Sequence, residues 1–147
     1  MKIIAHRANI DGPCSDENKL DQIDKCINLG YDVEIDVRYD LITGLLWLGH
    51  DEPQYMVTWD WLNNRSEYLW IHCKDIATLH KFSTETKEYN YFWHQSDDYT
   101  LTSKNIIWSY PKMQHTSNTV IIMLDPSNFN KEIDCYGICT DYPSKLI

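Results

Sequence analysis

The sequence predicts a single α/β domain spanning residues 1–147, rich in short strands and poor in helices. Three observations predict it. In the first half, β-branched runs such as Ile3-Ile4-Ala5 and Val33 to Val37 alternate with segments whose apolar residues recur at helical spacing. In the second half, apolar runs such as Thr119 to Leu124 are joined by polar connections with no helical pattern. A chain of 147 residues is also long enough for one proper core and short for two.

Ile3-Ile4-Ala5 reads as a buried strand ending in His6-Arg7, a proton-transfer group beside a cation whose fork suits phosphate. Ala8 to Pro13 is a loop, marked by Asn9, Asp11, Gly12 and Pro13. Ser15 or Asp16 is expected to cap a helix in which Leu20, Ile23 and Ile27 share a face and which Gly30 ends. Glu17 and Asn18 then fall in its first turn, where Glu17 complements the helix dipole.

Tyr31 to Tyr39 alternates as a strand, with Val33, Ile35 and Val37 on one face and Glu34 and Asp36 on the other. Two fates are open to this acid pair. On a wet face it is simply solvated. On a buried face the carboxylates repel unless a cation lies between them, and Mg²⁺ or Ca²⁺ takes such oxygen pairs. The chain turns at Thr43-Gly44, runs through Leu45 to Gly49 and reaches His50-Asp51, a second strand-end histidine suited to proton transfer. Glu52 to Thr58 reads as a loop, and Trp59 to Asn64 as one helical turn capped by Thr58.

Tyr68 to Lys74 is the third strand, with His72 and Lys74 on one face. Lys74 does not enter a core unpaired, so an ion pair with Glu34 and Asp36, a phosphate contact, or both are its expected roles. Asp75 to Thr86 reads as a helix with Ile76, Leu79 and Phe82 inward. Tyr89 to Gln95 is an aromatic-rich strand whose His94 either lines a pocket or packs among rings, and Asp97-Asp98 reads as a solvated turn. Asn105 to Tyr110 follows across a hairpin-like Ser96 to Ser103. Thr119 to Leu124 is a strand buried on both faces that ends at Asp125, where a functional carboxylate is expected. Ser127 to Asp134 is a loop, Tyr136 to Thr140 is the last strand, and Asp141 caps it.

The chain carries 22 acidic and 13 basic residues, a net charge of −9, which argues against a broad nucleic-acid or anionic-membrane surface. Five cysteines without framework spacing predict free thiols in a reducing compartment. No signal-peptide pattern and no apolar run of membrane-spanning length are seen, so a cytoplasmic location is expected. Six tryptophans and ten tyrosines form a heavy aromatic load, expected to cover strands that lack helices or to build a homodimer interface.

His6-Arg7, Glu17-Asn18, Gly30 to Val37, His50-Asp51 and the late run Gly137-Ile138-Cys139-Thr140-Asp141-Tyr142-Pro143 form an ordered set. In order and spacing the set resembles the glycerophosphodiester phosphodiesterase family of the phospholipase-C-like phosphodiesterases. The first four blocks lie in the N-terminal third, and between Asp51 and Gly137 the match rests mainly on Lys74. The resemblance implies a TIM-type (β/α) barrel. A full one takes about 200 residues or more, so this chain would be a shortened, distorted or open version of about seven to eight strands with few outer helices.

The resemblance also implies metal-dependent cleavage of a small glycerophosphodiester-like phosphodiester, the activity of a phosphoric diester hydrolase. His6 and His50 would exchange protons on opposite sides of the phosphorus. Arg7 and Lys74 would bind the phosphate, Glu17 would hold Arg7, Asp51 would support His50, and Asp141 would lie near the mouth. One divalent ion, Mg²⁺ or Ca²⁺ in the family, would sit on Glu34, Asp36 and a third ligand. Where the family carries a glutamate two residues before the lysine, this chain has His72. Either His72 is a ligand and the preference moves to Mn²⁺ or Zn²⁺, or it is a core histidine and the site is weakened. The insertion that follows the second histidine in longer members has no room here. Attack by water would give hydrolysis, and attack by a neighbouring hydroxyl a cyclic phosphate. The alternative is a catalytically impaired protein of the same fold that binds a phosphate-containing ligand or scaffolds a partner.

Overall fold

The computed structural model describes residues 1–85 and 88–146. It is a mixed α/β structure built on one ten-stranded sheet. The strands are β1 (Lys2–His6), β2 (Asp32–Tyr39), β3 (Leu46–Leu48), β4 (Tyr55–Val57), β5 (Leu69–Cys73), β6 (Asn90–Phe92), β7 (Tyr99–Leu101), β8 (Ile107–Ser109), β9 (Thr119–Ile122) and β10 (Gly137–Thr140). The helices are α1 (Leu20–Asn28), α2 (Trp59–Asn63) and α3 (Ile76–Thr84), and a 3₁₀ turn covers Pro143–Leu146.

A parallel run, β6-β5-β2-β1-β10-β9-β8, forms the body of the sheet. The antiparallel β3-β4 hairpin extends from β2, and β7 pairs antiparallel with β8. The run curls until Phe92 of β6 and Trp108 of β8 stack with ring centroids 4.6 Å apart. No ladder joins these two strands among the described residues, so the sheet is not closed into a barrel. The seam is bridged instead by the Ser103 amide, which donates to the Tyr91 carbonyl, and by the Ser103 hydroxyl, which donates to the Tyr89 carbonyl. The reason is local. β6 and β8 have three residues each, and β7 occupies the edge of β8 that closure would need.

Alternation places two cores on opposite faces of the sheet. Val33, Ile35 and Val37 of β2 and Leu69, Ile71 and Cys73 of β5 join α1, α2 and α3 in an outer core with Ile23 and Phe82. Each fully buried aliphatic side chain there contributes about 1.5–3 kcal/mol. Ile4, Trp70, Phe92, Trp108, Val120 and Cys139 fill the inside of the curl. The aromatic load was expected to cover bare strands. Part of it is internal, with the Trp70 ring tilted against Trp108 at 5.7 Å and edge-on to Tyr136 at 5.9 Å, while Tyr68, Trp93, Tyr99 and Tyr110 are exposed.

Several local expectations are corrected. Helix α1 has Lys19 at its N-cap, with no side-chain cap from Ser15 or Asp16. Asn18 takes a left-handed conformation (φ +62°), which takes Glu17 and Asn18 out of the helix. The Asn18 amide then donates to the Arg7 carbonyl at 2.9 Å. Glu52 to Thr58 contains β4, and Ser96 to Ser103 contains β7. Three-residue edge strands carry too little alternation to be read. Asp75 caps α3 by accepting from the Thr78 amide, and Thr86, expected to end that helix, lies outside the described residues. Ile76, expected inward, is 77% exposed. Asp125 is exposed and accepts from Ser127. All five cysteines are free. Among the described residues no helix is long and apolar enough to cross a membrane.

One turn fixes where His50 sits. Gly49 has φ +151°, and a Cβ there would lie 1.9 Å from the Glu52 carbonyl oxygen. Its amide donates to the Asp36 carbonyl, which ties the segment carrying His50 to β2. Gly49→Ala is therefore expected to lower stability by about 1–3 kcal/mol and to shift His50. Thermal unfolding checks the first effect, and an unchanged midpoint would remove the strain argument.

Candidate functional site

The C-terminal ends of β1, β2 and β5 bring one polar cluster together. Register places His6 beside Glu34 and Asp36 beside His72. Asp32, Glu34 and Asp36 share the inner face of β2, and all three are buried. Asp32, at the N-terminal end of β2, is answered by Lys2 at 3.2 Å and by the Trp70 indole N–H at 3.0 Å. Glu34 and Asp36 are 2% and 0% exposed, so the wet-face fate does not apply to them.

Burying two carboxylates side by side costs several kcal/mol per ion unless they are paired. Here the pairing is dense. Glu34 accepts from the Arg7 backbone N–H at 3.1 Å. That amide points inward because Arg7 and Ala8 both take left-handed conformations (φ +52° and +64°), which ends β1 abruptly. Such strain concentrates at functional sites. Asn18 donates to Asp36 Oδ2 at 2.9 Å and accepts from the Asp36 amide at 2.9 Å. The Arg7 guanidinium reaches Asp36 and Glu17, at 3.6 Å each.

Asp36 Oδ1 makes no hydrogen bond although it is buried. The nearest cationic atoms are His72 Nδ1 at 3.4 Å and Lys74 Nζ at 3.6 Å. Burial alone would raise the Asp36 carboxyl, but His72, Lys74 and Asn18 hold it well below the ordinary carboxylate range. His72 responds in the opposite sense. Burial would lower its imidazole, yet contact with Asp36 and Glu34 raises the pKa to about 9. Its Nε2 lies 3.3 Å from the His94 carbonyl oxygen, and the two rings stack at 4.7 Å. With Nε2–H donating there, the neutral ring presents the Nδ1 lone pair to the acids.

Glu34, Asp36 and His72 each offer one ligand atom, all within 4.8 Å of one another. The unpartnered Asp36 Oδ1 and the Nδ1 of His72 aim at the same space, so the residues fit a divalent ion. Two carboxylates with one imidazole suit Mn²⁺ or Zn²⁺ better than Ca²⁺.

His6 is held by Asp141, whose Oδ1 lies 2.7 Å from Nδ1, while Nε2 lies 4.0 Å from Glu34. Burial would lower the His6 pKa, but Asp141 and Glu34 outweigh it and raise the pKa above the ordinary value. Asn9 steadies this pair by donating to Asp141 at 2.8 Å and to Glu17 at 3.2 Å. His50 is the most open member, its side chain 37% exposed, with Nδ1 2.8 Å from Asp51. Arg38 sets its backbone, donating to the carbonyls of Gly49 and His50.

His6, Arg7, Glu34, Asp36, His50, His72 and Lys74 all line one cavity of about 820 Å³. Glu17 and Asp51 support it from outside through Arg7 and His50. Sequence reasoning assigned no role to Arg38 and no contact to Asn9 or Asn18, and it placed Asp141 near the mouth without giving it a partner. Their partners are distant in sequence, 135 residues away for Asp141 and 18 for Asn18. Only the left-handed tolerance of asparagine hinted at Asn18. Comparison of the chain with known protein families, with curated proteins and with solved structures returns no significant match.

Proposed function

We propose that this protein is a metal-dependent phosphodiesterase, a shortened relative of the glycerophosphodiester phosphodiesterases on an open version of their barrel. The observation that carries this reading is the convergence of Glu34, Asp36 and His72 with two histidines and two cations on one cavity. Glu34, Asp36 and His72 hold the ion, which when bound supplies a positive charge for the phosphoryl oxygens. Arg7 and Lys74 lie beside the same acids and offer their remaining N–H groups to the phosphate. His6, oriented by Asp141, keeps Nε2 free to move a proton. His50, oriented by Asp51 at the open side, moves the other.

The second reading, a catalytically impaired phosphate-binding or scaffold protein, is favoured by one observation. His72, charged below its pKa of about 9, already lies 3.7 Å from Glu34 and 3.4 Å from Asp36. With Arg7 and Lys74 it supplies positive charge to the acid pair without a metal.

The two readings separate in one assay. With Mn²⁺ or Zn²⁺, turnover of glycerophosphodiesters or bis(p-nitrophenyl) phosphate is expected and should vanish on chelation. Absence of turnover with Mg²⁺, Mn²⁺, Ca²⁺ and Zn²⁺ alike leaves only the binding role.

A further inference from the structure

The cavity has two unlike walls, and the polar cluster occupies only one. β1, β2 and β5 supply the histidines, acids and cations. The other wall, along the C-terminal ends of β6, β8 and β9, is largely apolar, with Trp93, Trp108, Tyr110, Ile122 and Leu124 beside His94 and Gln95, and Ile76 stands at the rim after β5. Trp108 is 3% exposed and forms part of the floor. Ile76, Trp93, Tyr110 and Leu124 are 77%, 39%, 51% and 41% exposed. Large apolar side chains left open on one rim mark a surface that binds something. The wall also spans the seam, since Trp93 follows β6 and Trp108 belongs to β8.

We propose that the site takes an amphiphilic phosphodiester, one ester arm of which is an apolar chain lying along the Trp93–Trp108–Leu124 wall while the phosphate faces Arg7 and Lys74. The inference rests on the proposed phosphate site, and it names the arm that the polar residues leave unspecified. A bare polar alcohol such as glycerol would leave this wall wet. A chain of several methylenes covers it, and 820 Å³ holds both parts. The net charge of −9 disfavours an anionic surface as the source, so the ligand is either free or held in a neutral bilayer.

The test is binding, which does not require turnover. Methyl butyl phosphate, methyl hexyl phosphate and methyl octyl phosphate are titrated below their aggregation limits, with MnCl₂ present, by calorimetry and by tryptophan fluorescence. The Kd is expected to fall about three- to fourfold per added methylene. Ile76→Ser and Leu124→Ser are expected to flatten that trend, weakening the octyl ester more than the butyl ester. An octyl ester that binds no tighter than the butyl ester overturns the proposal, as does 1-octanol binding equally well. Chain-length dependence without turnover of any diester would retire the enzyme reading and keep this one. Turnover with no chain-length dependence would do the reverse. Sedimentation with phosphatidylcholine vesicles assigns the source: capture means a bilayer-held diester, and no capture means a free one.

Discussion

His6→Ala is expected to lower diester turnover about 10²- to 10⁴-fold while far-UV circular dichroism stays unchanged. The imidazole bonds Asp141, and Asn9 still donates to that carboxylate once the ring is gone, so the fold does not depend on it. A companion substitution separates proton transfer from simple packing. Asp141→Asn keeps the shape but replaces the acceptor that holds Nδ1–H, so turnover should drop by about 10- to 100-fold. The carboxylate also helps raise the His6 pKa against burial. Without it, the limb of the pH–rate profile that belongs to His6 should therefore move to lower pH. A profile that keeps its position in Asp141→Asn would assign the limb elsewhere, and undiminished turnover in His6→Ala would end the acid–base role.

The second large effect is on stability. In the metal-free protein, unfolding free energy is expected to fall by on the order of 2–3 kcal/mol between about pH 6.5 and pH 9. The sign comes from His72, whose pKa rises from 6.5 to about 9 on folding despite burial, because Asp36 and Glu34 favour the charged ring. Below 6.5 both folded and unfolded chains carry the proton, and the pairing contributes in full. As pH climbs, the unfolded chain releases its proton first, and the advantage is gone once the folded ring titrates. Added Mn²⁺ or Zn²⁺ competes with that proton for Nδ1, so the metal-bound protein should hold its stability across the same window. Urea titrations at several pH values, with and without metal, check both halves. A flat metal-free curve, or an identical slope in His72→Gln, would remove His72 from the cluster.

The parts of this site that are legible in the sequence are those carried by alternation. Glu34 and Asp36 interrupt a β-branched strand at period two, His6 ends a strand and His50 follows one. The hidden parts depend on long-range contact. The neighbours of Asn18 place it in a helix, yet it turns left-handed to bridge Arg7 and Asp36. Asp141 meets His6 only because β10 lies beside β1. The same limit applies to the fold. The buried runs of β1, β2, β5 and β9 are visible, whereas β4 and β7, at three residues each, borrow their definition from the strands they pair with. An open barrel is expected from the short chain and its few helices, but the place of the seam has no signature, because it is a pairing that does not form.

Beneath the acids the interior of the curl is plugged. Trp70, Phe92, Trp108 and Tyr136 pack ring against ring, with Asp32 clamped among them by Trp70 and Lys2. The chamber is thus a cul-de-sac. On the proposed diesterase reading, a departing fragment and the next arrival would share the entrance above the acids, and affinity for the spent half of a ligand would slow the cycle.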